Sequence, residues 1–360
     1  MSETLEAAVH VTGWERIEPW FVVRCTLESD SRNVPTSVIV KSLRAHPAGF
    51  RTDPQQVLTE RAALEFVSDL GLDLAPRLFA GQQEAGVLIM EDLAPRKVLF
   101  DLIRDKDPAT DEGLSAFARA LAELGTGTVG RSGQYYERRS VLGPVDPQAD
   151  RLRLMGWGWS ETRRFCETLG VPIAGAAETE MSAVVDAVVD PGPFLAFSNG
   201  DAGANNYLVE GSDGRIIDFE FAGYRHALAD AVCLYVPGPM WMTVSDPIAE
   251  GYERIYRAAL SEGIAEAADD KRYGAGIAVA CIAFAVERLH RFPKLDARMP
   301  GHESRRQLIW TLESAIRAAE AHSSHAHASG WLARVADSLR RRWPDVDGAF
   351  DRSAGYSLRV

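Results

Sequence analysis

The sequence predicts an α+β fold in two parts, an antiparallel β-sheet with one helix followed by a mostly helical remainder. Runs rich in β-branched and aromatic residues fill most of the first ninety positions. From Ala94 onward, apolar residues recur at helical spacing instead. With 360 residues, the chain is long enough for two parts with separate cores, and we predict them at 1–93 and 94–360.

The N-terminal part is predicted to be a β-meander that continues into one helix. Residues 11–17, 20–27 and 37–43 are expected to be strands, because a Glu-Pro pair and a polar stretch separate them. Asp53 and Pro54 are typical of a helix start, and apolar residues at helical spacing continue to Gly71. Residues 86–90 form the next predicted strand.

Five helices are predicted in the C-terminal part from their apolar spacing. The first is expected to end at Gly125, a residue type common at helix C-termini. The predicted helices are 111–124, 248–260, 267–289, 303–321 and 331–343.

Composition narrows the class of protein. The N-terminus is acidic and has no apolar core, and the longest apolar run, 274–286, is too short to span a bilayer. The four cysteines are far apart, which argues against a zinc site or a disulfide framework. We therefore expect a cytoplasmic protein without a membrane span.

The formal net charge is −12 at pH 7, from 39 Lys and Arg against 51 Asp and Glu. Such a surface repels nucleic acid and anionic membrane, and it would steer a cationic small substrate toward the protein. Acidity also serves solubility alone, so the charge leaves both interpretations open.

A short stretch in the middle of the chain carries residues suited to phosphoryl transfer. Asp201 is followed five residues later by Asn206, and a turn-rich segment then precedes a short apolar run that ends in Asp218. Phosphoryl transfer needs a carboxylate that orients the attacking hydroxyl and oxygen ligands that hold magnesium on the phosphates. The Asp-x-x-x-x-Asn spacing alone would also fit an ordinary turn.

The longer pattern is more specific. The chain has NGD-x-x-x-x-N and then IIDFEFAGY, which resembles the aminoglycoside phosphotransferase and choline kinase group of small-molecule kinases, with a bilobal protein-kinase-like fold. The resemblance implies that Asp201 is the catalytic base and that Asn206 and Asp218 are magnesium ligands. It also implies ATP or GTP as co-substrate.

The resemblance extends to the N-terminal part, which would be the nucleotide-binding lobe with its hinge. Lys41 interrupts an apolar strand and would clamp the phosphates, held by Glu60 on the following helix. The alternatives are an exposed strand face or an edge-protecting lysine for Lys41, and a solvated helix face for Glu60. Backbone groups of Glu91 and Leu93 would hydrogen-bond the adenine.

Three departures from the family pattern stand out. Asn199 replaces the usual His, no G-x-G-x-x-G loop occurs in the first hairpin, and Arg225 with His226 occupies a usually Gly- and Pro-containing segment. Asp230 matches the aspartate that buttresses the catalytic loop in this family. Glu220 also matches the motif, but its spacing alone assigns it no chemistry.

The acceptor is predicted to be a small hydroxyl-bearing molecule, cationic or sugar-containing, such as an antibiotic or another secondary metabolite. A choline-type or sugar kinase is the alternative within the class. The aromatic segment 155–159 would form a cage or a stacking surface, or simply part of the core. The alternative of a different class is an inactive pseudokinase, which the departures at Asn199 and the first hairpin suggest.

Overall fold

The computed structural model describes residues 7–18, 22–42, 53–153, 159–236 and 247–346. Residues 20, 21 and 43 of the predicted strands and residues 155–158 of the aromatic segment lie outside this part. The strands, β1 to β10 in chain order, are His10–Glu18, Val22–Glu28, Ser37–Ser42, Leu78–Gln82, Val87–Glu91, Lys97–Val98, Leu195–Ser198, Tyr207–Glu210, Asp213–Ile216 and Gly223–His226.

The first five strands form one antiparallel sheet in the order β1-β2-β3-β5-β4. One helix, α1 at Pro54–Asp69, connects β3 to β4 in the chain. Asp53 caps this helix, since its side chain accepts a hydrogen bond from the Gln55 amide at 2.9 Å. The predicted meander and helix are thus present, and the sequence analysis missed only the short strand β4 in this sheet.

The rest of the described chain is mostly helical. Helices α2 to α13 are Leu99–Asp105, Thr110–Thr128, Ser132–Leu142, Pro147–Leu152, Trp159–Thr168, Ala176–Val189, Leu228–Tyr235, Tyr252–Ser261, Asp270–Arg288, Phe292–Asp296, Glu303–Ala321 and Ala326–Arg342. Two small antiparallel sheets lie among them, β7 with β10 and β6 with β8 and β9. The predicted α+β fold class is confirmed, while the boundary between 93 and 94 stays a prediction.

Several predicted helix ends differ from the observed ones by one to five residues, and the end predicted at Gly125 is wrong for a physical reason. Helix α3 continues through Gly125 to Thr128, so Gly125 does not terminate it. A Cβ atom at Gly125 would lie 3.2 Å from Leu260 Cδ1 and 3.8 Å from Ala196 Cβ. The glycine is therefore explained by close packing of α3 on α9 and β7, and packing outweighs its low helix propensity.

Helix α10 is the central helix of the C-terminal part. Its segment from Gly274 to Val286 is almost entirely buried and apolar around the whole circumference, as expected for a helix surrounded by others. Among the described residues, the stretch Asp270–Asp296 is long and apolar enough to cross a membrane by length and composition alone. However, 72% of its most apolar window is buried inside the protein.

Candidate active site

Backbone pairing places the catalytic loop predicted from the sequence. Strand β7 ends at Ser198, and Asp201 follows in the loop that leads to a 3-10 turn at Ala204–Asn206. The hairpin β8–β9 then returns the chain, and the Ile217 amide donates to the Asn206 carbonyl at 2.9 Å. This bond holds the segment carrying Asp218 against the segment carrying Asn206.

Asp201 and Asn206 are in direct contact. The Asn206 amide nitrogen donates to Asp201 Oδ2 at 3.1 Å and to the Asp201 carbonyl at 2.9 Å. Desolvation and the nearby charge of Asp218 raise the pKa of the Asp201 carboxyl, against the opposing effects of Asn206 and two arginines. A carboxylate with a raised pKa is a better proton acceptor, which suits a general base.

Lys41 is surrounded by three carboxylates. Its ammonium nitrogen lies 2.7 Å from Glu60 Oε2 and 3.2 Å from Glu220 Oε2, and it also pairs with Asp218. Burial alone would lower the pKa of Lys41, but the charges of Asp218, Glu60 and Glu220 outweigh it and raise the pKa. Lys41 is therefore a permanent cation that links the N-terminal sheet to the segment after β9.

The alternative interpretations of Lys41 and Glu60 as ordinary surface residues do not hold. Lys41 lies on β3, which has β2 on one side and β5 on the other, so it is not on an edge strand. Its side chain is only 14% exposed, so it is not on an exposed strand face either. Glu60 is only 3% exposed and is not on a solvated helix face. A carboxylate that is buried to this extent requires a charged or hydrogen-bonding partner, and Lys41 supplies it.

The carboxylates around Lys41 could also hold a cation. Oxygen atoms of Glu60, Asp218 and Glu220 lie within 4.8 Å of one another. All the donors are oxygens, the ligand type that magnesium prefers, so these residues fit a magnesium ion.

Asp218 adopts a backbone conformation that is unusual for its residue type. Its φ angle is +65°, in the left-handed region that non-glycine residues rarely occupy. The strand β9 has ended at Ile216, so the backbone is free to turn here. Because of this turn, the Asp218 side chain contacts Lys41 while the main chain continues to Glu220. A strained backbone conformation of this kind is typical of functional sites.

The catalytic loop is packed against the segment that follows Asp218. Gly200 has a φ angle of +81°, and a Cβ atom on it would overlap the carbonyl oxygen of Phe221. Asn199 donates to the Ile217 carbonyl at 3.4 Å and accepts from the Asp201 amide at 3.3 Å. Asn199 thus makes loop-holding hydrogen bonds at the position where the family usually has His.

Beneath the loop, Ser198 and Asp230 form a buried pair. Ser198 Oγ donates to Asp230 Oδ1 at 2.5 Å and accepts from the Gly200 amide at 2.9 Å. Burial raises the pKa of the Asp230 carboxyl to about 6, although Ser198 and Arg225 favour its charged form. Asp230 therefore contacts the predicted catalytic loop, as the resemblance implies, and it does so through Ser198, which the sequence analysis did not name.

At the hinge, one of the two predicted backbone contacts is already engaged. The Glu91 amide donates to the Arg77 carbonyl at 2.9 Å, so it is not available to a nucleotide. The Leu93 carbonyl accepts from the Arg96 amide at 3.1 Å, which leaves the Glu91 carbonyl and the Leu93 amide as candidate adenine contacts. This narrows the predicted contacts to one acceptor and one donor.

A buried carboxylate next to these residues fixes the hinge, and the sequence analysis missed it. Asp92 accepts from Arg24 Nε at 2.6 Å, from Ser37 Oγ at 2.7 Å and from the Ala94 amide at 3.1 Å. These bonds tie strands β2 and β3 to the chain between Glu91 and Leu93. No spacing signal points to Asp92, because its side-chain partners Arg24 and Ser37 lie more than fifty residues away.

With this geometry in place, the comparisons with known proteins define the class. The model of the phosphotransferase enzyme family matches residues 8–276. This chain belongs to that family, which confirms the resemblance to small-molecule kinases and the predicted enzyme class, a phosphotransferase. A search of curated proteins found no significant match.

Among solved structures, the chain is similar to a choline/ethanolamine kinase family protein from Mesorhizobium loti, at 14% identity and a TM-score of 0.48, covering 92% of this chain and 94% of that one. It is also similar to the choline kinase LicA from Streptococcus pneumoniae, at 15% identity and a TM-score of 0.42, covering 89% and 95%. A third is an aminoglycoside-3'-phosphotransferase of type VIII, at 17% identity and a TM-score of 0.40, covering 77% and 92%.

Proposed function

We propose that this protein transfers the γ-phosphoryl group of ATP or GTP to a hydroxyl group of a small molecule. The observation that carries the proposal is the contact of Lys41 with both Glu60 and Asp218. This contact brings a cation of the N-terminal sheet next to a carboxylate of the proposed catalytic segment. A kinase site requires this arrangement, because the nucleotide phosphates bind between the two.

Asp201 is the proposed catalytic base. It lies at the exposed end of the loop, where an acceptor can reach it, and the hydrogen bond from Asn206 fixes the direction of its carboxylate. It would accept a hydrogen bond from the acceptor hydroxyl, orient its oxygen toward the phosphoryl group and take up its proton. Positioning and charge neutralisation, rather than a covalent intermediate, would supply the rate enhancement.

Asn206 and Asp218 are the proposed magnesium ligands, with Glu220 as a further oxygen within reach. When bound, magnesium would neutralise charge on the phosphates of the nucleotide. Lys41 would then contact the phosphates, and Glu60 would keep its ammonium in place. The Glu91 carbonyl and the Leu93 amide would bind the adenine edge.

The acceptor is a small hydroxyl-bearing molecule. Amino sugars, choline and uncharged sugars are the acceptors expected from the sequence, and they differ from one another in charge. A panel of such compounds can separate them, because each product gains the mass of one phosphoryl group.

The test is to incubate the protein with magnesium and ATP, or GTP, and each member of the panel. Release of the nucleoside diphosphate and a mass gain of one phosphoryl group on an acceptor are expected. An Asp201→Ala variant is the matched control and should give neither. Tight binding of the nucleotide without transfer to any acceptor would instead favour a pseudokinase.

A further inference from the structure

A cavity of about 500 Å3 opens beside the candidate active site. One wall is Glu220, Phe221 and Ala222, the segment that directly follows Asp218. The other walls are the first turn of α1 and the segment from Pro144 through α5 to Arg153. The cavity therefore lies next to the reacting groups and has the size of a small-molecule site.

A buried guanidinium lines this cavity. Arg139 is only 2% exposed, and its hydrogen bonds go to neutral groups: Thr59 Oγ1 at 3.2 Å, the Gly143 carbonyl at 3.3 Å and Gln55 Oε1 at 2.5 Å. Within the described part of the chain, no carboxylate forms an ion pair with it. A buried cation without a directly bound anion is costly, so such a group is a candidate for binding an anionic ligand.

A second guanidinium lies between the cavity and the catalytic loop. Arg153 lines the cavity and stands 3.7 Å above the centre of the Phe221 ring. Its charge acts on the Asp201 carboxyl, so the two side chains lie near each other. Arg153 is partly open to solvent, so an entering ligand can reach it without a rearrangement of the core.

The four carboxylates of the cavity wall already have partners within the protein. Asp53 and Asp146 each cap a helix, accepting from the Gln55 and Gln148 amides at 2.9 Å. Tyr136 donates to Asp150 at 2.9 Å, and Glu220 faces Lys41. These carboxylates therefore have partners and keep their charges, while Arg139 and Arg153 retain N–H donors that no described residue accepts.

Several arginines surround Asp150 on one wall of the cavity. The charges of Arg225, Arg153 and Arg139 all act on this one carboxyl group, whose pKa is raised by burial. Three guanidiniums thus act on Asp150, while the cavity lining as a whole carries four carboxylates and two arginines. The net charge of −12 belongs to the whole chain and does not describe this site.

We propose that the acceptor carries an anionic group, a carboxylate or a phosphate, and that this group binds in the cavity between the guanidiniums of Arg139 and Arg153. Arginine matches both groups because its planar fork can donate two parallel hydrogen bonds. The identification of the bound molecule as an acceptor rests on the proposed phosphoryl transfer. The anion-binding site itself does not depend on turnover. It replaces the cationic acceptor expected from net charge.

A matched series of probes tests the proposal by binding alone. Glycerol, glycerate and glycerol 3-phosphate share hydroxyl groups on one skeleton and differ in charge, and choline supplies the cationic arm. Each is titrated by calorimetry into the full-length protein, with magnesium and ADP saturating the nucleotide site. Glycerate or glycerol 3-phosphate should bind at least about tenfold more tightly than glycerol, and comparison of the two identifies the favoured anion.

Two variants locate the effect. Arg153→Gln should remove most of the preference for the anionic probes, whereas Arg119→Gln, an exposed position on α3 outside the cavity, should keep it. Arg153 is the better target because the buried Arg139 also supports local structure. Equal binding of glycerol and the anions, tighter binding of choline, or an unchanged preference in Arg153→Gln would overturn the proposal.

The failure of this inference can be told apart from the failure of the proposed function. Anion binding that depends on Arg153, without phosphoryl transfer to the anionic probes or to any acceptor of the panel, would support the anion site and contradict the activity. Phosphoryl transfer to acceptors with no preference for an anionic group would support the activity and contradict the anion site.

Discussion

Asp230→Asn should change how the stability of the protein depends on pH. Asp230 is 5% exposed and accepts a 2.5 Å hydrogen bond from Ser198 beneath the catalytic loop. The asparagine side chain has the same shape and still offers an oxygen to Ser198, so the substitution removes a titrating group while preserving this contact.

The size of the effect follows from the pKa of Asp230. Burial raises it from 3.8 to about 6 in the folded protein. The folded state therefore holds this proton more tightly than the unfolded chain, and the stabilisation is complete below pH 3.8 and lost as pH rises through 6. A shift of roughly two pH units corresponds to about 3 kcal/mol at 1.36 kcal/mol per unit.

This effect is measured by denaturant unfolding of the parent protein and of Asp230→Asn at several pH values. A range from about pH 3.5 to about pH 8 covers both the unfolded and the folded pKa of Asp230. The difference in unfolding free energy should move by about 3 kcal/mol in favour of the variant as pH rises. Other groups titrate in both proteins and cancel in the difference. Parallel stability curves would refute a buried, proton-binding Asp230.

Three further predictions concern the site. Gly200→Ala should lower the unfolding free energy by at least about 2 kcal/mol, because φ is positive and Cβ would overlap the Phe221 carbonyl; an unchanged melting temperature would contradict this. Glu60→Gln should weaken binding of the magnesium nucleotide about tenfold, because Lys41 loses one carboxylate but keeps Asp218; calorimetry with equal affinities would argue against the clamp. Asp218→Ala should abolish the magnesium dependence of nucleotide binding. If the nucleotide affinity of this variant still falls when EDTA removes magnesium, Asp218 is excluded as a ligand.

Much of the fold and the central residues could be predicted from local patterns. A β-branched run predicts strand β3 and a helix cap predicts helix α1, so Lys41 and Glu60 could be placed on consecutive elements. Asp201 and Asn206 were recognisable because their spacing lies within one loop. Such features depend on near neighbours in the chain, which the sequence displays directly.

Features that depend on long-range packing could not be predicted in the same way. Gly125 has the residue type of a helix end, but its neighbour Leu260 is known only after α3 packs on α9. Ser198 and Asp230 are 32 positions apart in the chain, and they meet because β7 pairs with β10. Similarly, Arg153 is an ordinary helix-end arginine until the fold places it over Phe221.

The most direct test of the account measures nucleotide binding and phosphoryl transfer in Asp201→Asn. The account predicts that binding of magnesium-ATP stays within about twofold of the parent protein, because Lys41 and Asp218 remain in place. Transfer to an accepted hydroxyl should fall by about 10²–10⁴, the typical contribution of a positioned general base. Transfer at the parental rate in Asp201→Asn, with nucleotide binding unchanged, would contradict the assignment of Asp201 and with it the proposed mechanism.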